Sequence, residues 1–284
     1  MTVALSAAFP GVSRVLEEGA KLGLWSYIKL APGVQIPKDT SYILGYYTPE
    51  YEEVIQYMTG AKITVLWTSS PGEVEFEPVE QMALDRLVHD PRIARIWFGD
   101  PVLGSLFPKG YYAPYPIQYQ PKDPVKKTNT VSLFCPPTLK KNALNQVLAV
   151  YLYQMKYGKL RLVTNHPVAE WVAKLGIKLD YELVDWLPKS RYEQVIASAR
   201  VNLVVSWAET FSYQAADAVM LGTPTVASFT VPWLSGCQVS DPNSPESIAK
   251  TLKHAIDNPE NWLEGARKGL AKYAEADFRA SLAL

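Results

Sequence analysis

Two carboxylates eight residues apart, Glu209 and Asp217, mark the stretch of this chain best equipped for chemistry. They lie in VNLVVSWAETFSYQAADAVMLGTPTVAS, residues 201–228. The window reads as a buried strand, a loop holding Glu209, and a helix from near Ser212 that Gly222 and Pro224 end before a new strand at Thr225–Ser228. The first N–H groups of a helix lack intrahelical partners and carry partial positive charge. At the carboxyl end of a parallel strand, such a terminus is a ready phosphate site. Simpler roles stay open. Glu209 could act only as a helix N-terminal charge, worth about 0.3–1 kcal/mol. Asp217 is a poor mid-helix residue, for which a solvated face is reason enough.

The window resembles the nucleotide-sugar signature of retaining GT-B glycosyltransferases of the family 4 type. That signature has Glu, seven residues, a second Glu, and then a small-residue-rich end with Gly-x-Pro and a short strand. Glu209, Phe211, Ser212, Ala218, Gly222, Pro224 and Ala227 fit it, and Asp217 stands where the second Glu is expected. Weaker matches extend over roughly residues 128–265. VSLFCPPTLKKN, residues 131–142, resembles the first strand and loop of the donor domain. There Lys141-Asn142 takes the place of a usual lysine-glycine pair, with Lys140 beside it, and Pro136 the place of a usual arginine. VDWLP, residues 184–188, with Tyr192–Ala199 resembles the loop and helix flanking the nucleobase, while Asn165-His166-Pro167 sits where a glycine-rich turn is normal.

The resemblance implies an α/β GT-B fold, two Rossmann-like domains facing a cleft. It implies that Glu209 and Lys141 are catalytic, with Glu209 meeting the donor sugar. The donor-binding set would be Lys140, Thr210, Phe211, Ser212, Asp217, His166 and Trp186, with Asp217 on the ribose. The N–H groups of Phe211 and Ser212, together with Lys141, would stabilise the departing diphosphate. It implies hexosyl transfer with retention, without cofactor or metal, from a nucleotide-diphospho-sugar such as a UDP- or GDP-sugar. The acceptor, whether glycan, lipid or protein, is not identified. A sugar-nucleotide epimerase of the same fold, a non-catalytic nucleotide-sugar binder and an unrelated doubly wound domain are the competing readings.

The elements that must position these residues alternate in type. Strands are expected at Val3–Phe9, Ser26–Leu30, Ser41–Tyr47, Lys62–Thr68, Ile93–Phe98, Thr130–Cys135, Leu160–Thr164, Tyr181–Val184, Val201–Ser206 and Thr225–Ser228. Helices are expected at Ala143–Tyr157, Tyr192–Ala199, Ser212–Leu221, Pro245–Asn258 and Trp262–Ala276, and His89 reads as a helix C-terminal cation. Such alternation implies βαβ units and parallel sheets. The Pro- and Tyr-rich residues 108–128 read as the boundary between an acceptor-side domain, 1–122, and a nucleotide-sugar domain, 128–265. Residues 266–284 are expected to pack back on the first as a helix. Tyr111, Tyr112, Tyr115 and Tyr119 read as a linker packed on aromatic rings, with stacking on a sugar or lipid acceptor as the alternative. Beyond Pro10-Gly11 no counterpart of the family's glycine-rich loop is seen.

Composition bounds the rest. Of 284 residues, Lys+Arg and Asp+Glu number 28 each, so the basic excess of a generic nucleic-acid coat protein is lacking. With 48% hydrophobic residues the chain can bury a sizeable core. Cys135 and Cys237 make no disulfide framework, and three separated histidines make no metal motif. The N-terminus lacks a basic leader region, and no apolar run approaches the ~20 residues that span a bilayer. A cytoplasmic protein is expected, with peripheral membrane contact left open. There is no P-loop, no Gly-x-Gly-x-x-Gly and no Gly-x-Ser-x-Gly.

Overall fold

Among the described residues all the strand pairings are parallel, and they form two sheets. The structure, a computed structural model, describes residues 2–6, 10–31, 34–37, 41–45, 55, 58, 62–69 and 78–275. The chain divides into two compact units, one of Met1–Gln118 with Ala274–Leu284 and the other of Tyr119–Tyr273. Residues 276–284, the far part of the expected returning helix, lie outside the described residues, as do 7–9 and 46–47 at the ends of two expected strands.

The first unit carries β1 (Thr2–Ser6), β2 (Ser26–Lys29), β3 (Ser41–Gly45), β4 (Ile63–Trp67), β5 (Ile93–Phe98) and β6 (Gly110–Tyr112), in the order β2-β1-β3-β4-β5-β6. Every residue of β4, ITVLW, is buried, which explains its continuous apolar run: helices cover both faces of a parallel sheet. Its helices include α1 (Pro10–Lys21), α2 (Pro78–His89) and α3 (Pro101–Leu106). The sequence reading places none at α1 or α3. His89 closes α2 and meets Asp85 Oδ1 at 3.3 Å. The division between the units, at Gln118/Tyr119, falls within the expected boundary stretch 108–128, whose first part belongs to the first unit. Residues 110–112 form an edge strand, and Ala113, Tyr115 and Ile117 are buried in this unit. Trp97 Nε1 donates to Ala113 O (2.8 Å), and the Tyr115 hydroxyl donates to Trp67 O (3.2 Å). Pro-spaced extended chain cannot join a central ladder, yet at a sheet edge it can still bury aromatic side chains.

The second unit carries β7 (Thr130–Leu133), β8 (Arg161–Thr164), β9 (Tyr181–Leu183), β10 (Val201–Val204) and β11 (Thr225–Ala227). Their spatial order is β9-β8-β7-β10-β11. The chain starts at the centre with β7, winds outward to β9, then returns to β10 on the other side of β7. Around the sheet run α4 (Ala143–Tyr157), α5 (Val168–Lys174), α6 (Lys189–Ser198), α7 (Tyr213–Met220), α8 (Pro245–Asp257) and α9 (Pro259–Ala274). Helix α5 is again absent from the sequence reading. Gly222 follows α7 with φ of +74°, a left-handed conformation that favours glycine and ends the helix.

Candidate active site

The order reverses between β7 and β10, and in such sheets ligands bind outside the carboxyl ends of the strands at that point. The two loops that emerge there carry the predicted residues. After β7, Phe134–Asn142 ends in a 3₁₀ turn, Leu139–Lys141, and Asn142 takes a left-handed backbone with φ of 52°. Asparagine visits that conformation more readily than most residues other than glycine, which is how Asn142 can stand in a lysine-glycine position. After β10, Val205–Phe211 leads to Ser212, also left-handed (φ 65°), whose Oγ accepts from Ala215 N as the N-cap of α7. Serine is a costlier choice there, and strain of this kind gathers at functional loops.

The loops meet through a short ion pair. Lys141 Nζ lies 2.6 Å from Glu209 Oε1, with the side chains 16% and 13% exposed. Ser206 Oγ donates to the same carboxylate oxygen at 2.9 Å. Trp207 N donates to Lys140 O at 2.8 Å, which joins the loops by backbone as well. Underneath sits Gln146 of α4, only 1% exposed. Its Nε2 donates to Lys141 O (2.8 Å), and its Oε1 accepts from Val205 N (2.9 Å). Gln146 and Ser206 are missing from the predicted set. Gln146 had a readable signal, a polar residue among Ala143, Val147 and Val150 on the buried stripe of a helix.

Phe211 anchors the second loop. Its ring packs against Tyr213, Trp233 and Tyr273, and its carbonyl accepts from Trp233 Nε1 at 2.6 Å. The N–H groups of Phe211 and Ser212 have no backbone acceptor among the described residues. Asp217 lies on α7, partly buried, and Thr210 lies beside Glu209 in the loop.

His166 and Trp186 lie on other loops of the sheet, after β8 and before α6. His166 follows β8, and its bonds are local: its N–H donates to Thr164 Oγ1, and Val168 N donates to its Nδ1 at 3.2 Å. Burial lowers its pKa. Trp186, in the loop before α6, is 70% exposed. Burial and then the Lys141 charge lower the Lys140 pKa, with Glu209 opposing. Cys135 shares this environment, and burial pushes its thiol up to about 12, which keeps it protonated and unreactive. Among the described residues no three His, Cys, Asp or Glu side chains are grouped to hold a metal ion.

Comparison of the whole fold supplies the remaining context. No protein-family model matches this sequence, and no curated protein does. Solved structures do match. The E. coli trehalose-6-phosphate structure bound with UDP-2-fluoro glucose aligns at a TM-score of 0.68 and 12% identity, over 99% of this chain and 97% of that one. An alpha,alpha-trehalose-phosphate synthase (UDP-forming) from Burkholderia vietnamiensis gives 0.68 at 10% identity, over 98% and 96%. Sucrose-phosphate synthase from Thermosynechococcus elongatus gives 0.66 at 13%, over 98% and 95%. The fold is GT-B. Within this GT-B chain, Lys140, Lys141, Glu209, Thr210, Phe211, Ser212 and Asp217 all belong to the second Rossmann-like unit and to the two segments leaving β7 and β10. Among the described residues no helix is long and apolar enough to cross a membrane.

Proposed function

We propose that the chain is a glycosyltransferase of the family 4 kind, moving a hexosyl group with retention from a nucleotide-diphospho-sugar to an acceptor. The observation that carries this reading is the Lys141–Glu209 pair beside the start of α7, at the switch point of the second sheet. Lys141 uses one of its three N–H donors on Glu209, which leaves the others for a phosphate oxygen. The N–H groups of Phe211 and Ser212 add fixed donors where charge grows on the departing diphosphate. Glu209 then faces the sugar hydroxyls, and Asp217 the ribose. The leaving phosphate itself takes the acceptor's proton, so the reading needs no protein nucleophile and no metal. The fold neighbour bound with UDP-2-fluoro glucose supports starting with UDP-sugars. Pro136, where the resemblance expects an arginine, favours a second reading: a protein that binds the donor without consuming it.

A calorimetric and turnover screen with UDP-, GDP-, ADP- and dTDP-sugars, with and without EDTA, separates these readings. Transfer or donor hydrolysis that survives EDTA supports the first, and tight binding without consumption supports the second. Glu209→Ala should abolish turnover while nucleotide affinity stays within a few-fold. Asp217→Ala should weaken nucleotide binding by about 1–3 kcal/mol. Unchanged behaviour in both variants would sink the assignment.

A further inference from the structure

The candidate active site occupies the carboxyl edge of the β9-β8-β7-β10-β11 sheet, and the amino edge carries a second set of charges that it does not use. Lys127, three residues ahead of β7, donates from Nζ to Ala197 O at the end of α6 (2.7 Å) and to Thr223 Oγ1 just before β11 (2.8 Å). Its pKa is lowered to about 8, by burial first and then by the positive charge of Arg267, with Glu260 opposing. Arg267 reaches this place from α9. A methyl group on Gly222 would lie 3.7 Å from Arg267 Nη2. The Arg267 Nε–H is fully buried and has no acceptor among the described residues. Glu264 and Lys268 on the same helix pair with each other at 2.6 Å. Arg267 also lines a cavity of about 420 Å³ with Tyr119, Glu260, Leu263, Ala271 and the mutually paired Glu264 and Lys268.

A guanidinium cannot shed its proton, so a buried unmet donor beside a second cation calls for an acceptor that carries negative charge. An oxyanion matches the planar fork of arginine and offsets the repulsion from the lysine. The recess is also roomy enough to admit a small anion. We propose that this cavity binds a phosphate-class oxyanion, free or carried on a small molecule, with Arg267 as its fork and Lys127 as the adjoining charge. The site lies across the sheet from Lys141 and takes its ligand independently of the sugar donor.

Inorganic sulfate and phosphate, and then a hexose phosphate, are titrated by calorimetry into wild type, Arg267→Gln, Glu260→Gln and Lys141→Ala. The wild type should bind all three, Arg267→Gln about tenfold or more weakly, Glu260→Gln more tightly, and Lys141→Ala should keep the component of binding that Arg267→Gln removes. Sulfate keeps its charge near neutrality, so its affinity should fall as pH rises through about 8. Over that range Lys127 discharges, facing Arg267 and Glu260 from α9, the Ala197 carbonyl and the Thr223 hydroxyl. Tighter binding of the hexose phosphate than of inorganic phosphate identifies a carried group, and equal binding a free anion. Loss of binding in Lys141→Ala with retention in Arg267→Gln places the anion at the other edge and overturns the proposal, as does absence of binding to wild type. If Arg267→Gln fails to fold, Glu260→Gln decides, and failure to tighten overturns it.

Discussion

Lys141, Glu209 and Ser206 share one carboxylate oxygen, so truncating any of them redistributes the others. Lys141→Met leaves a largely buried carboxylate with Ser206 as its one side-chain donor among the described residues. The expected loss is about 1–3 kcal/mol of stability, and the double-mutant cycle with Glu209→Gln should show coupling of about 0.5–3 kcal/mol in urea unfolding. Its loss of turnover should be larger, on the order of 10²–10³ in kcat, comparable with removing one oxyanion donor. His166 supplies a pH test. Its folded pKa lies below the unfolded value of about 6.5, because burial disfavours the imidazolium. The unfolded chain therefore takes up the proton first, and stability is lost as pH falls below about 6.5. His166→Asn keeps an acceptor for Val168 N–H and should flatten that part of the stability–pH curve. An unchanged slope would contradict the assignment.

At the scale of elements, Gln146 ties α4 to both loops of the switch point. Gln146→Leu preserves the buried volume but strips partners from Lys141 O and Val205 N, at a cost of about 2–4 kcal/mol. Gln146→Glu keeps the bond from Val205 and should fall between the two. Denaturant midpoints check the order, and donor KM should rise with the freedom given to Lys141. Gly104 in α3 tests a packing constraint in the other unit. A Cβ there would sit 2.6 Å from Tyr112 N, since the helix lies directly on β6. A glycine-to-alanine change inside a helix ordinarily stabilises by about 0.4–1 kcal/mol. Gly104→Ala should instead destabilise, by about 1–3 kcal/mol as overpacking does, and a raised melting temperature would show that the approach is looser.

For the whole molecule, each unit has its own parallel sheet, and the predicted donor residues all fall in Tyr119–Tyr273. A fragment of residues 119–275 should therefore fold in one cooperative transition and retain nucleoside-diphosphate affinity while losing transfer. Thermal melting with and without UDP checks this, and a fragment that gives no cooperative transition would show that the unit depends on the rest of the chain. The GT-B neighbours at 10–13% identity show how far sequences can diverge while the layer pattern of strand and helix persists.

Much of that pattern was legible because it is local. Buried strands read as apolar runs, α4 as a 3.6-residue stripe, and the end of α7 as Gly222 with its obligatory backbone angle. The placing of Glu209 in a loop and of a helix start near Ser212 was also legible, since it needs only one segment at a time, whereas only the resemblance singles out Lys141. What lay beyond the sequence depends on distant segments meeting. The Lys141–Glu209 pair joins residues 68 apart, Gln146 reaches Val205 across 59, and Tyr115 of the tyrosine-rich stretch packs on Trp97 and reaches Trp67. Such contacts carry no local period, and only the assembled sheets bring their partners together.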